Sequence, residues 1–229
     1  MQPELQMNTQ TAQLALAQNK VLRNTYMMLS LTMIPTVIGA WIGMSLNFAF
    51  MAQHPVLSVL GMLAVMFGMF YAIQANRNNS LGVVLLLGTT FLFGLMLGPI
   101  LQAALQLSNG AQLVGMAAGG TGVIFFTLAG IATVTKKDFS FMGKFLFVGL
   151  VMLVVAMLAN AFFQVPAASL AISAIAVMIF SGYILYDVSR IVNGGETNYV
   201  MATLALYLDI YNIFVNLLNL LMAFSGNRD

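Results

Sequence analysis

The chain has no cysteine. That absence excludes disulfides, thiolate metal sites and cysteine nucleophiles together, and it leaves the redox compartment unspecified. Histidine is almost missing too. His54 stands alone, so neither a histidine metal cluster nor a Ser-His relay can be assembled within one chain. Charge is the third scarcity: only 6% of the 229 residues are Asp, Glu, Lys or Arg, against roughly 25% in an ordinary soluble domain. Eight basic and six acidic residues cannot cover a soluble fold of this length with polar groups. The formal charge of +2 is near neutral and carries no footprint of nucleic-acid binding. Walker loops, zinc-protease motifs and Gly-x-Ser-x-Gly elbows are also missing, so the chain reads as a non-enzyme without a resident cofactor.

What the chain has is oil. Hydrophobic residues make up 61% of it. A hydrocarbon core about 30 Å thick needs roughly 20 apolar residues in a helix. Seven windows meet that length: Tyr26 to Phe50, Pro55 to Ala75, Leu81 to Leu105, Ala111 to Val134, Phe141 to Phe163, Ala167 to Ile191 and Tyr199 to Phe224. The runs are continuously apolar and lack alternation, which predicts helices and not a barrel. The expected fold is all-α, a polytopic bundle of seven transmembrane helices in residues 25–229, preceded by a polar tail in residues 1–24. The first run is long enough to span and follows a polar segment, so it reads as an uncleaved first helix.

The connections alternate in charge. Lys20 and Arg23 precede span 1, Arg77 lies between spans 2 and 3, Lys136 and Lys137 lie between spans 4 and 5 with Lys144 just beyond, and Arg190 ends span 6. The three other loops, around Gln53, Asn109 and Val165, carry no Lys or Arg, and only Arg228 falls opposite. The positive-inside rule then predicts a cytoplasmic N-terminus and an external C-terminus. Three small-xxx-small pairs, Gly39 with Gly43, Gly94 with Gly98 and Gly115 with Gly119, predict close helix packing. Pro35 and Pro99 sit inside spans as candidate kinks.

The informative residues are those that cost most in lipid. An ionisable group at mid-membrane costs about 2.5–3.5 kcal/mol on insertion scales. Two acids stand clearly inside spans: Asp187 on span 6 and Asp209 on span 7. The short connection through Gly194 and Gly195 predicts antiparallel neighbours, so the two carboxyl groups are candidates to face each other. Asp209, Asn212, Asn216 and Asn219 recur at steps of three and four and share one helix stripe, which cannot face lipid cheaply. Span 7 is therefore expected inside the bundle, its stripe lining a cavity or bonding to neighbours.

Two carboxyl groups in one apolar site titrate as a unit and can hold a shared proton. Arg190 or Arg77 would oppose this, and the stripe residues Asn212 and Asn216 would complete an oxygen-rich path for a transient calcium ion. A plainer reading pairs Asp187 with Arg190 at the membrane boundary and leaves Asp209 protonated and hydrogen-bonded within the bundle. His54, the scattered methionines and the Lys136–Lys137–Asp138 loop read as solvated loop, apolar filling and topogenic charge.

The segment Ser181-Gly-Tyr-Ile-Leu-Tyr-Asp187, followed by Leu206-Tyr-Leu-Asp209 and Asn212-Ile-Phe-Val-Asn216, resembles the signature of the Bax inhibitor-1 family. Gly98-Pro99-Ile100 and Lys136-Lys-Asp-Phe-Ser-Phe141 extend the resemblance over nearly all the chain after the tail. Lys20-Val-Leu-Arg-Asn-Thr-Tyr26 and Gly194-Gly-Glu-Thr-Asn-Tyr199 are similar to its bacterial YccA-like branch, modulators of the FtsH protease. The resemblance implies span 7 at the centre of six others in a bacterial inner membrane. It also implies a pH-sensitive aspartate latch of calcium-leak type at Asp187 and Asp209, with an arginine near the end of span 2, for which Arg77 is the nearest match. The implied partner is an FtsH-type AAA protease that engages the polar tail, Met1 to Asn19. Calcium or protons are the implied small ions.

Overall fold

The protein was described by a computed structural model, which covers the backbone of residues 2–226 and the side chains of residues 16–225 apart from Phe50 and Ala52. Met1, the side chains of residues 2–15 and the terminal Arg228 lie outside the described residues. Most of the expected protease-engaging tail therefore falls outside them as well.

Every regular element among the described residues is helical. The helices are α1 (Gln2–Gly43), α2 (Ala49–Gln53), α3 (Pro55–Ala75), α4 (Ser80–Met96), α5 (Gly98–Leu105), α6 (Gly110–Thr135), α7 (Gly143–Phe163), α8 (Pro166–Val192) and α9 (Tyr199–Gly226). A 3-10 turn, Ser140–Met142, precedes α7. Among the described residues seven helical segments are long and apolar enough to cross a membrane, with α4 and α5 together forming the third. The chain is a multi-pass membrane protein. The backbone is helical from Gln2 onward, continuous with the first span.

Two boundaries depart from expectation. The first span stops at Gly43 instead of continuing to Phe50, because Asn47 Oδ1 accepts the Ala49 amide at 2.8 Å and turns the chain into α2. The third span breaks at Leu97, just before Pro99, which lacks the N–H that a continuous helix would use. Pro35, by contrast, lies inside an uninterrupted α1. Gln102, one turn beyond the break, donates its side-chain amide to Met44 O and Leu46 O at 2.8 and 2.9 Å, capping carbonyls at the end of α1.

Helix α9 packs against α1, α3, α4, α5, α6 and α8, while α7 packs on α8 and α3. Its apolar residues join three buried clusters. Tyr207 and Ile213 pack with Phe180 and Ile184 of α8; Leu218 packs with Leu101 and Leu113; Val200 and Leu204 pack with Ile73 and Leu86. In a bilayer the apolar effect does not press helices together, so close packing and satisfied polar groups must do so. Both are present. Thr25, Thr32, Thr36, Thr89, Thr90, Thr121 and Thr203 are buried, and each hydroxyl donates to a carbonyl one turn back on its own helix. Thr36 also shares a 2.9 Å hydrogen bond with the Tyr207 hydroxyl, which lies 3.2 Å from Thr90 O, tying α1, α4 and α9 together at one level.

Candidate functional site: a carboxyl pair between α8 and α9

Asp187 stands five residues before the end of α8 and Asp209 ten residues into α9. Their Cα depths therefore differ by about 7.5 Å at 1.5 Å per residue. Side chains on a helix tilt toward its N-terminus. In this antiparallel pair the tilt carries Asp187 inward and Asp209 outward, so the two carboxyl groups converge. The two come close enough to interact electrostatically. Two carboxyl groups this close in an apolar site cannot both ionise cheaply.

The pair is asymmetric. Asp209 is 4% exposed, and its Oδ2 is buried without a hydrogen-bond partner among the described residues. The Asp187 side chain is 13% exposed, with Oδ1 4.0 Å from Arg190 Nη1. Arg190 is not committed to Asp187 alone. Its Nη2 donates to Gly195 O at 3.2 Å and lies 3.8 Å from Glu196 Oε2, and the guanidinium sits 5.5 Å from the centre of the Tyr186 ring. Glu196 continues the chain of contacts: its Oε1 accepts the Asn198 amide at 2.8 Å. Asn198 Oδ1 caps α9 by accepting the amides of Val200 and Met201, and its Nδ2 donates to Arg77 O and Asn78 Oδ1. One polar path thus runs from Asp187 along the α8–α9 connection to the α3–α4 turn.

The structure brings Asp187, Asp209 and Arg190 together. Arg77 meets this path through its backbone carbonyl, and its side chain forms no ion pair among the described residues. The stripe residues bond elsewhere. Asn212 donates to Leu208 O and Asn216 to Asn212 O, both on α9 itself, while Asn219 reaches Ser173 Oγ on α8 at 2.8 Å. Among the described residues no group of three or more His, Cys, Asp or Glu could hold a metal ion.

Three contributors were not singled out from sequence. Glu196 and Asn198 stand just ahead of an apolar run, which is the ordinary signal for a helix start. Ser189 offers no such signal. It is fully buried, and its hydroxyl donates to Lys137 O at 3.0 Å and accepts the Phe139 amide at 2.9 Å, pinning the α6–α7 connection to the end of α8 beside Arg190.

The family model described as "Inhibitor of apoptosis-promoting Bax1" matches residues 18–226. An Escherichia coli (strain K12) protein named "Modulator of FtsH protease YccA" is 40% identical over 208 residues, covering 90% of this chain and 91% of that relative. A Vibrio cholerae protein named only as a membrane protein is 39% identical over 219 residues, 96% of each chain. A Neisseria meningitidis protein is 39% identical over 212 residues, 92% of this chain and 93% of its own. With the family model spanning the whole bundle and relatives matching it almost end to end, this chain belongs to the Bax inhibitor-1 family.

Proposed function

We propose that this chain is a non-enzymatic protein of the bacterial inner membrane that modulates an FtsH-type AAA protease. The observation that carries the reading is the 40% identity, over nine-tenths of both chains, to the Escherichia coli protein whose name states that role. The bundle is oriented with its basic ends and N-terminus in the cytoplasm, its C-terminus outside and α9 at its centre. The polar tail, Met1 to Asn19, is the segment offered to the protease, and the bundle behind it resists extraction. The test removes residues 1–19, keeps the spans and follows turnover of a second membrane substrate alongside co-purification with the protease. The intact chain slows turnover and co-purifies; the shortened chain does neither. Equal behaviour of the two chains would defeat the proposal.

Because the chain has no cysteine, orientation can be tested with single labels. Lys137→Cys reacts with a membrane-impermeant maleimide only after permeabilisation, whereas Ser108→Cys reacts in intact spheroplasts. The reverse pattern contradicts the assigned topology.

A second reading is favoured by one observation, the approach of the Asp187 and Asp209 carboxyl groups to each other in an apolar bundle. We infer that the pair acts as a proton-responsive latch on a calcium or cation leak, with the ion as cargo. Losing the shared proton sets two like charges against each other, and the helices that hold them then separate. In proteoliposomes calcium flux varies with pH, and Asp209→Asn removes that variation. Identical pH profiles for the mutant and the parent would exclude the latch.

A further inference from the structure

Helices α1 and α6 both pack on α9, but their backbones stay apart from each other. Between them opens a cleft of about 1060 Å³, floored by Tyr207, Tyr211 and Phe214 of α9. At one end the walls are bridged by side chains, the Tyr26 ring standing edge-on to Phe125 with centroids 6.2 Å apart. From Tyr26 the α1 wall continues to Met44, about 27 Å at helical rise, close to the ~30 Å depth of a hydrocarbon core.

The lining is spent of hydrogen bonds. Ser30, Thr36 and Thr121 each donate to a carbonyl of their own helix, so the walls offer an occupant mainly carbon. Charge lies only beyond the Tyr26 end. Arg23 is one turn before Tyr26 on α1, and Lys136 caps α6 one turn after Thr133. Both are exposed, and neither forms an ion pair among the described residues. The acid nearest Lys136 in sequence, Asp138, is turned onto the Ser140 amide instead.

A slot open to the bilayer cannot stand empty, and an apolar slot ending in two free cations matches one chemistry. We propose that the α1–α6 cleft holds an anionic phospholipid, its acyl chains laid over the α9 tyrosines and its phosphate between Arg23 and Lys136. Basic pockets between transmembrane helices bind anionic headgroups in this way. The inference rests on bundle geometry alone and is independent of the protease reading.

The test uses the full chain in nanodiscs of phosphatidylethanolamine and phosphatidylglycerol, with native mass spectrometry of the lipid retained on extraction. The parent retains phosphatidylglycerol preferentially. Arg23→Gln with Lys136→Gln lowers that preference about 25-fold, from roughly fivefold per cation. Lys144→Gln, a cation away from the cleft, leaves it unchanged. Gly122→Leu expels lipid of either headgroup; a Cβ at Gly122 meets no atom within 4 Å, so the side chain enters the cleft without disturbing the bundle. Three results would overturn the proposal: retention unaltered by Gly122→Leu, a double variant no different from Lys144→Gln, or a photo-crosslinker at Val37 that captures a protein helix in place of lipid.

Discussion

Gly39 of α1 and Gly94 of α4 face each other backbone to backbone. A methyl group on Gly39 would collide with Phe91 O, and one on Gly94 with Thr36 O. Gly43 meets Leu95 O, and Gly98 meets Gly43 O, in the same way. Two of the three small-residue pairs thus close the seam of α1 with α4 and the start of α5, where only glycine allows the approach.

Gly94→Ala is therefore expected to destabilise the bundle by about 1–3 kcal/mol, the usual cost of overpacking against atoms that cannot yield. Gly115 and Gly119 meet nothing within 4 Å, so Gly115→Ala is expected to leave stability unchanged. Thermal unfolding in detergent compares the two. Equal midpoints would show that the seam is not tight.

Tyr207→Phe removes the hydroxyl that joins Thr36 to Thr90 O. Thr36 keeps its bond to Thr32 O, so no buried donor is stranded, and the expected loss is about 0.5–1.5 kcal/mol. Tyr207→Phe with Thr36→Val should cost less than the sum of the two single changes. Strict additivity would mean that the contact contributes nothing.

Ser189→Ala strands the Phe139 amide and leaves the 3.3 Å bond from Asn193 Nδ2 to Lys137 O as the remaining hydrogen bond between the α6–α7 connection and the end of α8. Faster hydrogen exchange is expected at Phe139, by about tenfold, with little change in the middle of α8. Exchange that stays as slow as in the parent would place the anchor elsewhere.

In the same connection Asp138 Oδ1 accepts the Ser140 amide at 2.8 Å. Bonding to Ser140, first by its side chain and then by its backbone, holds the Asp138 carboxyl below its ordinary value of 3.8. A depressed value means that the ionised form favours the folded loop. That contribution is complete above pH 3.8 and fades only as pH falls through the lowered value. Ser140→Ala should move the Asp138 carbon-13 titration back toward 3.8, and an unmoved curve would remove the bond from the account. A pH response between 5 and 8 cannot then arise from this carboxyl.

The spans were legible because a bilayer imposes length and apolarity directly on sequence: Pro55–Ala75 matches to the residue, and most other ends fall within a residue or two. The Gly43 stop and the Leu97 break were not. Met44, Leu46 and Phe48 are as apolar as a helix interior, so hydropathy runs through a turn that Asn47 makes, and Pro35 shows that proline alone does not mark a break. For the carboxyl pair, the expense of placing Asp187 and Asp209 in oil identified the residues, while their meeting depended on side-chain tilt. The partners of the Asn stripe stayed hidden, because an Asn amide is satisfied as readily by its own helix as by a neighbour. Thr36 and Tyr207 looked like ordinary apolar-span residues, since a hydrogen bond between distant helices leaves no periodic trace.

The glycine seam also has a mechanical side. Helix α1 is locked to α4 along Gly39 and Gly43, bonded to α9 at Thr203–Thr25 and Thr36–Tyr207, and braced where Gln18 lies over Gly194, a glycine with φ of +79°. A pull on the N-terminal end acts along the axis of α1. It loads these contacts together, in shear, instead of peeling them one by one. Helix α1 is thus held to α4, to α9 and to the α8–α9 connection at several levels along its length.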